Sequence, residues 1–204
     1  GVPQADWFLA GGRAAAQSIR DAVPVPLESM GSILDFGCGC GRVTRWWRDL
    51  PAEIHGSDLN PTLVRWCREN LPFGVFEVNG PEPPIPYADD SFDLVYALSV
   101  LTHLPVETQR RWLDELARIA REWVLVSIHG EPYRVRLTEE EVRRFDGGEI
   151  VVRWAEVAGT NLCTAFHPRS AFEKLVEPRF EVRSYIPEGA KGNRPQDLAL
   201  LRVR

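Results

Sequence analysis

The sequence predicts an α/β protein in which a mostly parallel sheet carries helices on both faces. Three observations support this prediction. Short apolar runs typical of buried strands alternate with longer segments that repeat apolar residues at helical spacing. A glycine-rich turn follows the first of these apolar runs. Proline, glycine and asparagine occur between the segments, where strands and helices are expected to end.

The first half of the chain contains three predicted strands. A leading helix is expected over residues 8–22, before Pro24 and Pro26 interrupt the chain. A second helix begins at Asn60-Pro61, because asparagine caps free backbone amides and proline suits the first helical turn. Predicted strands cover residues 32–36, 53–57 and 74–78, and a further helix with one apolar stripe covers residues 41–50.

The second half begins with a proline-rich loop at residues 81–86. The region 130–166 departs from simple alternation, and we interpret it as an insertion after the fifth strand that covers one end of the sheet, over the substrate. The last two strands are joined by a loop rich in glycine, proline and asparagine, which favours an antiparallel hairpin. Predicted strands cover residues 92–98, 123–128, 179–186 and 197–203, and predicted helices cover residues 105–120, 139–145 and 168–176.

Composition narrows the class of protein. The chain has 204 residues, which fits a single domain over residues 1–204. Its net charge is −5 with both signs mixed along the chain, so a nucleic-acid partner is not expected. No apolar run approaches the roughly 20 residues of a membrane helix, and residues 1–4 lack the character of a signal peptide. The four cysteines show neither disulfide nor metal spacing, which favours a cytoplasmic location.

The strongest chemical signal is the glycine-rich turn at residues 35–41, D-F-G-C-G-C-G. Its glycines let the backbone turn sharply and let a ligand approach closely. The spacing is G-x-G-x-G, and Arg42 stands where a dinucleotide fingerprint requires glycine. The carboxylate of Asp35 repels a pyrophosphate but favours a ligand that carries an ammonium group and a sulfonium. Asp58 ends the second strand, where a carboxylate accepts hydrogen bonds from ribose hydroxyls.

With these residues the chain resembles the class I S-adenosylmethionine (SAM)-dependent methyltransferases. The resemblance covers residues 32–128 closely, including Y-A-D-D-S-F-D-L-V at residues 87–95, and residues 168–204 in outline. It implies a Rossmann-like, seven-stranded sheet whose last strand is antiparallel. It also implies SAM as the cofactor, with S-adenosylhomocysteine as its product.

The resemblance assigns cofactor contacts by position. The turn and Asp35 are expected to hold the methionine end of SAM, and Asp58 is expected to hold its ribose. Ser99 is expected to lie near the sulfonium. The family often has an acid after its third strand that meets the adenine amino group, whereas this chain has Asn79 and Gly80. The predicted cofactor-binding residues are Asp35, Phe36, Gly37, Cys38, Gly39, Gly41, Asp58, Leu59, Asn79, Gly80 and Ser99.

Histidines supply the candidate catalytic residues. A hydroxyl acceptor needs a general base, and histidine suits this role at neutral pH. His103 and His129 follow the fourth and fifth strands at the same sheet edge, so both are predicted catalytic residues, with a packing role as the alternative for His103. No metal site is predicted, because the histidines lie on different elements. The predicted acceptor contacts are Tyr133, Asn161 and His167.

The acceptor is expected to be a small molecule. The stretch L-S-V-L-T-H-L-P at residues 98–105, Asn161-Leu162-Cys163 and Gln196-Asp197-Leu198 resemble a bacterial branch often found beside glycosyltransferases. This suggests a hydroxyl of a sugar, glycoconjugate or natural product. A SAM-binding module without catalysis and an NAD-dependent oxidoreductase remain as alternatives, and Asp35 and Arg42 argue against the latter. The sequence leaves open whether the protein is a monomer or a homodimer.

Overall fold

The computed structural model of the protein describes residues 5–192 and 194–204. Residues 1–4, on which the expectation about a signal peptide partly rests, lie outside the described residues. Over the part of the chain that the structure describes, no helix is both long and apolar enough to cross a membrane.

A seven-stranded sheet forms the centre of the molecule. Its strands are β1 (Ser32–Phe36), β2 (Glu53–Asp58), β3 (Gly74–Val78), β4 (Phe92–Ala97) and β5 (Ala120–Ile128), and after two intervening strands β8 (Phe180–Ala190) and β9 (Gln196–Val203). The spatial order is β3-β2-β1-β4-β5-β9-β8. Strands β1 to β5 pair in parallel, and β9 is antiparallel to both of its neighbours. The predicted sheet, its antiparallel last strand and the terminal hairpin are therefore confirmed.

Helices cover both faces of the sheet, as predicted. They are α1 (Ala5–Ala22), α2 (Pro61–Asn70), α3 (Val106–Ile119), α4 (Glu139–Asp146) and α5 (Arg169–Val176). Side chains alternate along β1, so that Ile33 packs in the core beneath α1 while Leu34 packs in the core beneath α3 and α5. The predicted cap of α2 is confirmed, because the Asn60 side chain accepts hydrogen bonds from the amides of Thr62 and Leu63.

The helix predicted over residues 41–50 is wrong. Only a short 3₁₀ helix, Thr44–Trp47, forms there. Gly39 and Gly41 both have positive φ, so the chain enters this region in a turn conformation that an α-helix cannot continue. The Arg45 amide still donates to the Gly41 carbonyl, but the Trp46 and Leu50 amides donate to the carbonyls three residues earlier, of Val43 and Trp47, as in a 3₁₀ helix. The glycine turn thus overrides the helical periodicity.

The region 130–166 folds as a small layer of its own. It contains a 3₁₀ helix (Glu131–Arg136), α4, and an antiparallel ribbon of β6 (Val151–Arg153) and β7 (Thr164–Phe166). The strand-like sequence run at residues 149–154 forms only the three residues of β6, and β7 has no counterpart among the predicted strands. An isolated bridge between His129 and Phe166 joins this layer to the end of β5.

Candidate active site

A cavity of about 590 Å³ opens at the carboxyl ends of β1, β2, β3 and β4. This edge is where open α/β sheets bind ligands. Its walls include Gly37, Asp58 and Asn79 from the strand ends, and His103 and residues 158–161 from later parts of the chain. A larger depression of about 720 Å³ lies beside α3, but neither the glycine turn nor Asp58 contributes to it. The smaller cavity is therefore the candidate active site.

The glycine turn is held rigidly against β2. The amides of Gly37 and Cys38 both donate to the Ser57 carbonyl, at 2.8 and 3.0 Å. Gly37 has a φ of +80°, and a Cβ added there would lie 2.4 Å from Val100 Cγ2. A side chain at Gly37 is thus excluded by both backbone strain and space, which leaves the backbone open to the cavity.

Asp58 faces the cavity from the end of β2. Its carboxylate accepts hydrogen bonds from the amides of Gly39 and Asn60, each at 2.8 Å, and these fix its orientation. Two carboxylate oxygens offer about four acceptor positions in all, so about two remain for a ligand. The arrangement suits a pair of neighbouring hydroxyls such as those of a ribose.

Asn79 contributes an acceptor without a partner. Its side-chain amide donates to the Gly80 carbonyl at 2.8 Å, while its Oδ1 is buried with no hydrogen-bond partner among the described residues. A buried acceptor left unsatisfied costs roughly 1–3 kcal/mol, so a ligand N–H placed here would relieve that cost. The residues present therefore fit an adenosine, with Asn79 in the position that the family often gives to an acid.

The predicted cofactor residues divide into two sets. Phe36, Gly37, Asp58, Leu59, Asn79 and Ser99 line the cavity, whereas Asp35, Cys38, Gly39, Gly41 and Gly80 do not. The second set shapes the turn: Cys38 is buried, and a Cβ added at Gly41 would meet Leu71 of α2 at 2.3 Å.

Asp35 lies behind the turn, in a buried polar cluster. Its carboxylate accepts a hydrogen bond from the Thr44 hydroxyl, and Tyr96 lies beside it. Burial raises the pKa of Asp35 to about 6, because the charged form loses its hydration. The structure thus brings Asp35 to the underside of the turn, and its predicted contact with the methionine end stays a prediction.

His103 lines the cavity with one ring nitrogen fixed. It ends a 3₁₀ helix, Leu101–His103, that follows β4. Its Nδ1 lies 2.8 Å from the Cys163 backbone carbonyl, and because a carbonyl only accepts, Nδ1 carries the proton. Its Nε2 has no hydrogen-bond partner among the described residues. His103 is thus placed as a base toward the cavity.

His129 has a different environment at the end of β5. It is 7% exposed, stacks on Tyr133 at a ring separation of 4.1 Å, and does not line the cavity. Gln196 donates its amide both to His129 Nε2 at 3.2 Å and to Ser99 Oγ at 2.9 Å. Burial lowers the pKa of His129 to about 4, so the ring is neutral at pH 7.

Of the three predicted acceptor contacts, one lines the cavity and two are buried away from it. Asn161 lines the cavity, whereas Tyr133 is buried beneath His129 and His167 is fully buried. His167 Nε2 lies 2.9 Å from Gln109 Oε1 on α3, and burial lowers the pKa of His167 to about 3. Sequence analysis named Gln196 only within a resembling motif and missed its role, which is to link Ser99 to His129, because no local pattern indicates such a contact.

The cavity is lined by acidic side chains but by no lysine or arginine among the described residues. Its ionisable lining residues are Asp58, Glu82 and His103. Glu82 is paired with Arg111 at 2.8 Å. The cavity therefore offers no cation to a carboxylate or phosphate ligand.

Comparison with known proteins agrees with this fold. Residues 34–126 match the family model described as a methyltransferase domain. The chain is 26% identical over 159 residues to a malonyl-[acyl-carrier protein] O-methyltransferase of Pectobacterium atrosepticum, which covers 76% of this chain and 55% of that protein. The chain thus spans about half the length of this curated relative.

Solved structures show the same architecture. A SAM-dependent methyltransferase from Methanosarcina mazei superimposes with a TM-score of 0.66 at 17% identity, covering 91% of this chain and 96% of that one. The glycopeptide N-methyltransferase MtfA, solved with SAM, gives a TM-score of 0.62 at 15% identity and covers 95% and 94% of the two chains. At these identities the likeness establishes the fold.

Proposed function

We propose that this chain, which matches a methyltransferase domain model over residues 34–126, is a class I SAM-dependent methyltransferase that transfers a methyl group from SAM to a hydroxyl of a small-molecule acceptor. The observation that supports this most strongly is one cavity lined both by the ribose-type carboxylate of Asp58 and by the unpaired Nε2 of His103. The first suits a nucleoside and the second suits a proton acceptor.

The cofactor half of the proposal rests on three residues. The backbone of Gly37 admits the ligand closely, Asp58 accepts from the ribose hydroxyls, and Asn79 Oδ1 accepts from the adenine amino group. When bound, SAM would supply a methyl group on a sulfonium: the acceptor oxygen would bond to the methyl carbon as the carbon–sulfur bond breaks, leaving S-adenosylhomocysteine as the product.

The acceptor half rests on charge and on His103. Nε2 of His103 takes the proton of a hydroxyl as the oxygen attacks, which keeps the nucleophile reactive without requiring an alkoxide in advance. A malonyl group, for which the Pectobacterium relative is named, ends in a carboxylate and needs no base. This cavity lacks a lysine or arginine to hold such a group. We therefore favour a neutral hydroxyl, as on a sugar, a glycoconjugate or another natural product.

Matched acceptor pairs test this proposal. Transfer of an isotope-labelled methyl group from SAM is measured with glycosides and with the corresponding uronic acids, each pair differing only in a hydroxymethyl or carboxylate group. Labelled ethers from the glycosides are expected, with no labelled esters from the acids. Methyl esters as the main product would contradict a hydroxyl acceptor, while methyl transfer itself would still stand.

A further inference from the structure

Residues 154–163, named here the bridging loop, connect β6 to β7 and make both contacts that hold His103 in place. The Gly159 amide donates to the His103 backbone carbonyl at 2.8 Å. The Cys163 carbonyl accepts the Nδ1–H of the His103 ring at 2.8 Å. The orientation and the tautomer of this ring therefore depend on a segment 60 residues away in sequence.

The same loop reaches across the cavity to the ribose side. Ala158, Gly159, Thr160 and Asn161 all line the cavity. A Cβ added at Gly159 would lie 3.0 Å from Leu59 Cδ1, so the loop backbone contacts the residue next to Asp58. The loop therefore spans from His103 to the rim beside the ribose carboxylate.

The loop is anchored at one end, because Cys163 is fully buried and leads directly into β7, whereas residues 154–162 are exposed or half-buried. The Val157 amide donates to the Trp154 carbonyl, and the Thr160 amide donates to the Val157 carbonyl. Most of its side chains are exposed, including Trp154 at 57% and Leu162 at 64%. Segments with so few buried apolar contacts open locally at low free-energy cost. Trp154 and Gly159 both have positive φ, which marks two points where the chain changes direction.

From these contacts we infer that the bridging loop is a lid that closes over bound cofactor and, in closing, orients His103 as the base. The inference rests on the proposed function. With residues 154–162 open, the Gly159–His103 bond breaks and the chain leading into Cys163 is released, so the Cys163 carbonyl no longer fixes the tautomer and direction of the ring. With the loop closed, cofactor beneath residues 158–161 cannot leave without breaking the Gly159–His103 bond. Cofactor retention and base orientation are therefore coupled through one segment.

Hydrogen exchange of the wild-type protein tests the closure. Deuterium uptake of a peptide spanning the bridging loop is measured with and without S-adenosylhomocysteine, and a peptide from α4 serves as the internal control. Uptake in the loop is expected to slow when the ligand binds, with α4 unchanged. Binding of the ligand with no change in the loop would overturn the inference. Absence of ligand binding would overturn the proposed function, and the inference with it.

A matched pair of glycine substitutions tests the coupling. Gly159→Ala places a side chain at a φ of +78° and against Leu59, which disfavours the closed loop. Gly148→Ala imposes a similar strain at a φ of +83°, in the turn after α4, where its nearest neighbour is Ser170 Oγ at 3.8 Å. S-adenosylhomocysteine is expected to dissociate about tenfold faster from Gly159→Ala and at an unchanged rate from Gly148→Ala.

The tautomer of His103 supplies a readout that is independent of any acceptor. Nitrogen-15 NMR of the four histidine rings distinguishes an Nδ1–H tautomer from a mixture. With ligand bound, wild type and Gly148→Ala are expected to show a pure Nδ1–H form for His103, and Gly159→Ala a mixture. An unchanged His103 signal in Gly159→Ala, or equal effects of the two substitutions on dissociation, would overturn the coupling.

Discussion

The two walls of the cavity are built in different ways. The wall of Gly37, Asp58 and Asn79 stands on strand ends and is fixed by backbone hydrogen bonds and by side-chain bonds to neighbouring backbone groups. The opposite wall, of His103 and the bridging loop, stands on a 3₁₀ helix and a mostly exposed loop that hold each other. The strand-end wall is therefore formed before a ligand binds, whereas the opposite wall depends on contacts between the 3₁₀ helix and the bridging loop. We therefore expect the contacts that recognise the cofactor to lie in the first wall, and turnover and the rate of cofactor release to depend on the second.

The largest effect is expected from Asp58→Ala in the strand-end wall. The substitution removes two charge-assisted hydrogen bonds to the ribose and frees the amides of Gly39 and Asn60. Affinity for S-adenosylhomocysteine is expected to fall roughly a thousandfold, or about 4 kcal/mol, in calorimetric titration. Asp114→Ala, which removes an exposed carboxylate paired with Arg179, is the control and should bind normally. Comparable affinity in both variants would contradict the role of Asp58.

His103→Ala, in the opposite wall, should lower turnover and leave cofactor affinity nearly unchanged. Loss of a general base is expected to lower kcat about a hundredfold, while affinity for S-adenosylhomocysteine changes less than about threefold. His129→Gln is the comparison, because His129 is buried away from the cavity; it should retain most of the turnover. Assays of methyl transfer with the two variants side by side decide between the histidines. A larger loss of kcat in His129→Gln would assign the base to His129.

Asn79→Ala should give a moderate effect in the strand-end wall. One hydrogen bond to the adenine is lost, so affinity for the cofactor is expected to fall about tenfold, with kcat at saturation unchanged. Asn79→Asp keeps an acceptor oxygen in the same place and should bind more tightly than Asn79→Ala. Equal affinities for the two variants, measured by the same titration, would mean that Asn79 makes no contact with the adenine.

The smallest effect concerns stability near neutral pH. Burial lowers the pKa of His129 to about 4 and of His167 to about 3, so both bind protons more readily in the unfolded chain. The contribution of each histidine to the free energy of unfolding is fully present above the pKa of that histidine in the unfolded chain. It is lost as the pH falls, by about 0.7 kcal/mol for each histidine between pH 7 and pH 6. Asp35, whose pKa is raised, has the opposite tendency.

Urea unfolding at the two pH values measures this loss. His129→Gln should show a decrease in stability between pH 7 and pH 6 that is smaller by about 0.7 kcal/mol than that of the wild type. The contribution of Asp35 cancels in the comparison because both proteins contain it. An identical pH dependence of the two proteins would show that His129 is not held neutral by folding.

The strand-end wall could be predicted from the sequence because its signals are local. Glycine spacing, Asp58 at a strand end and the Asn60-Pro61 cap all lie within about 25 residues, and topology then brings them together. The opposite wall could not, since His103 and His129 both follow strands at one edge and differ only through Cys163 and Gln196, which are distant in sequence. The helix expected over residues 41–50 failed for a different reason, because the positive φ of Gly39 and Gly41 leads the chain into a turn and a short 3₁₀ helix.

The most direct measurement is calorimetric titration of the wild-type protein with SAM, S-adenosylhomocysteine and NAD. SAM and S-adenosylhomocysteine are expected to bind at one site per chain, and NAD is not expected to bind. Asp58 and Asn79 suit the adenosine that all three ligands share, but Arg42 stands where a dinucleotide fingerprint requires glycine, and no lysine or arginine among the described residues lines the cavity to pair with a pyrophosphate. Binding of NAD without binding of SAM would contradict the methyltransferase account and favour hydride transfer.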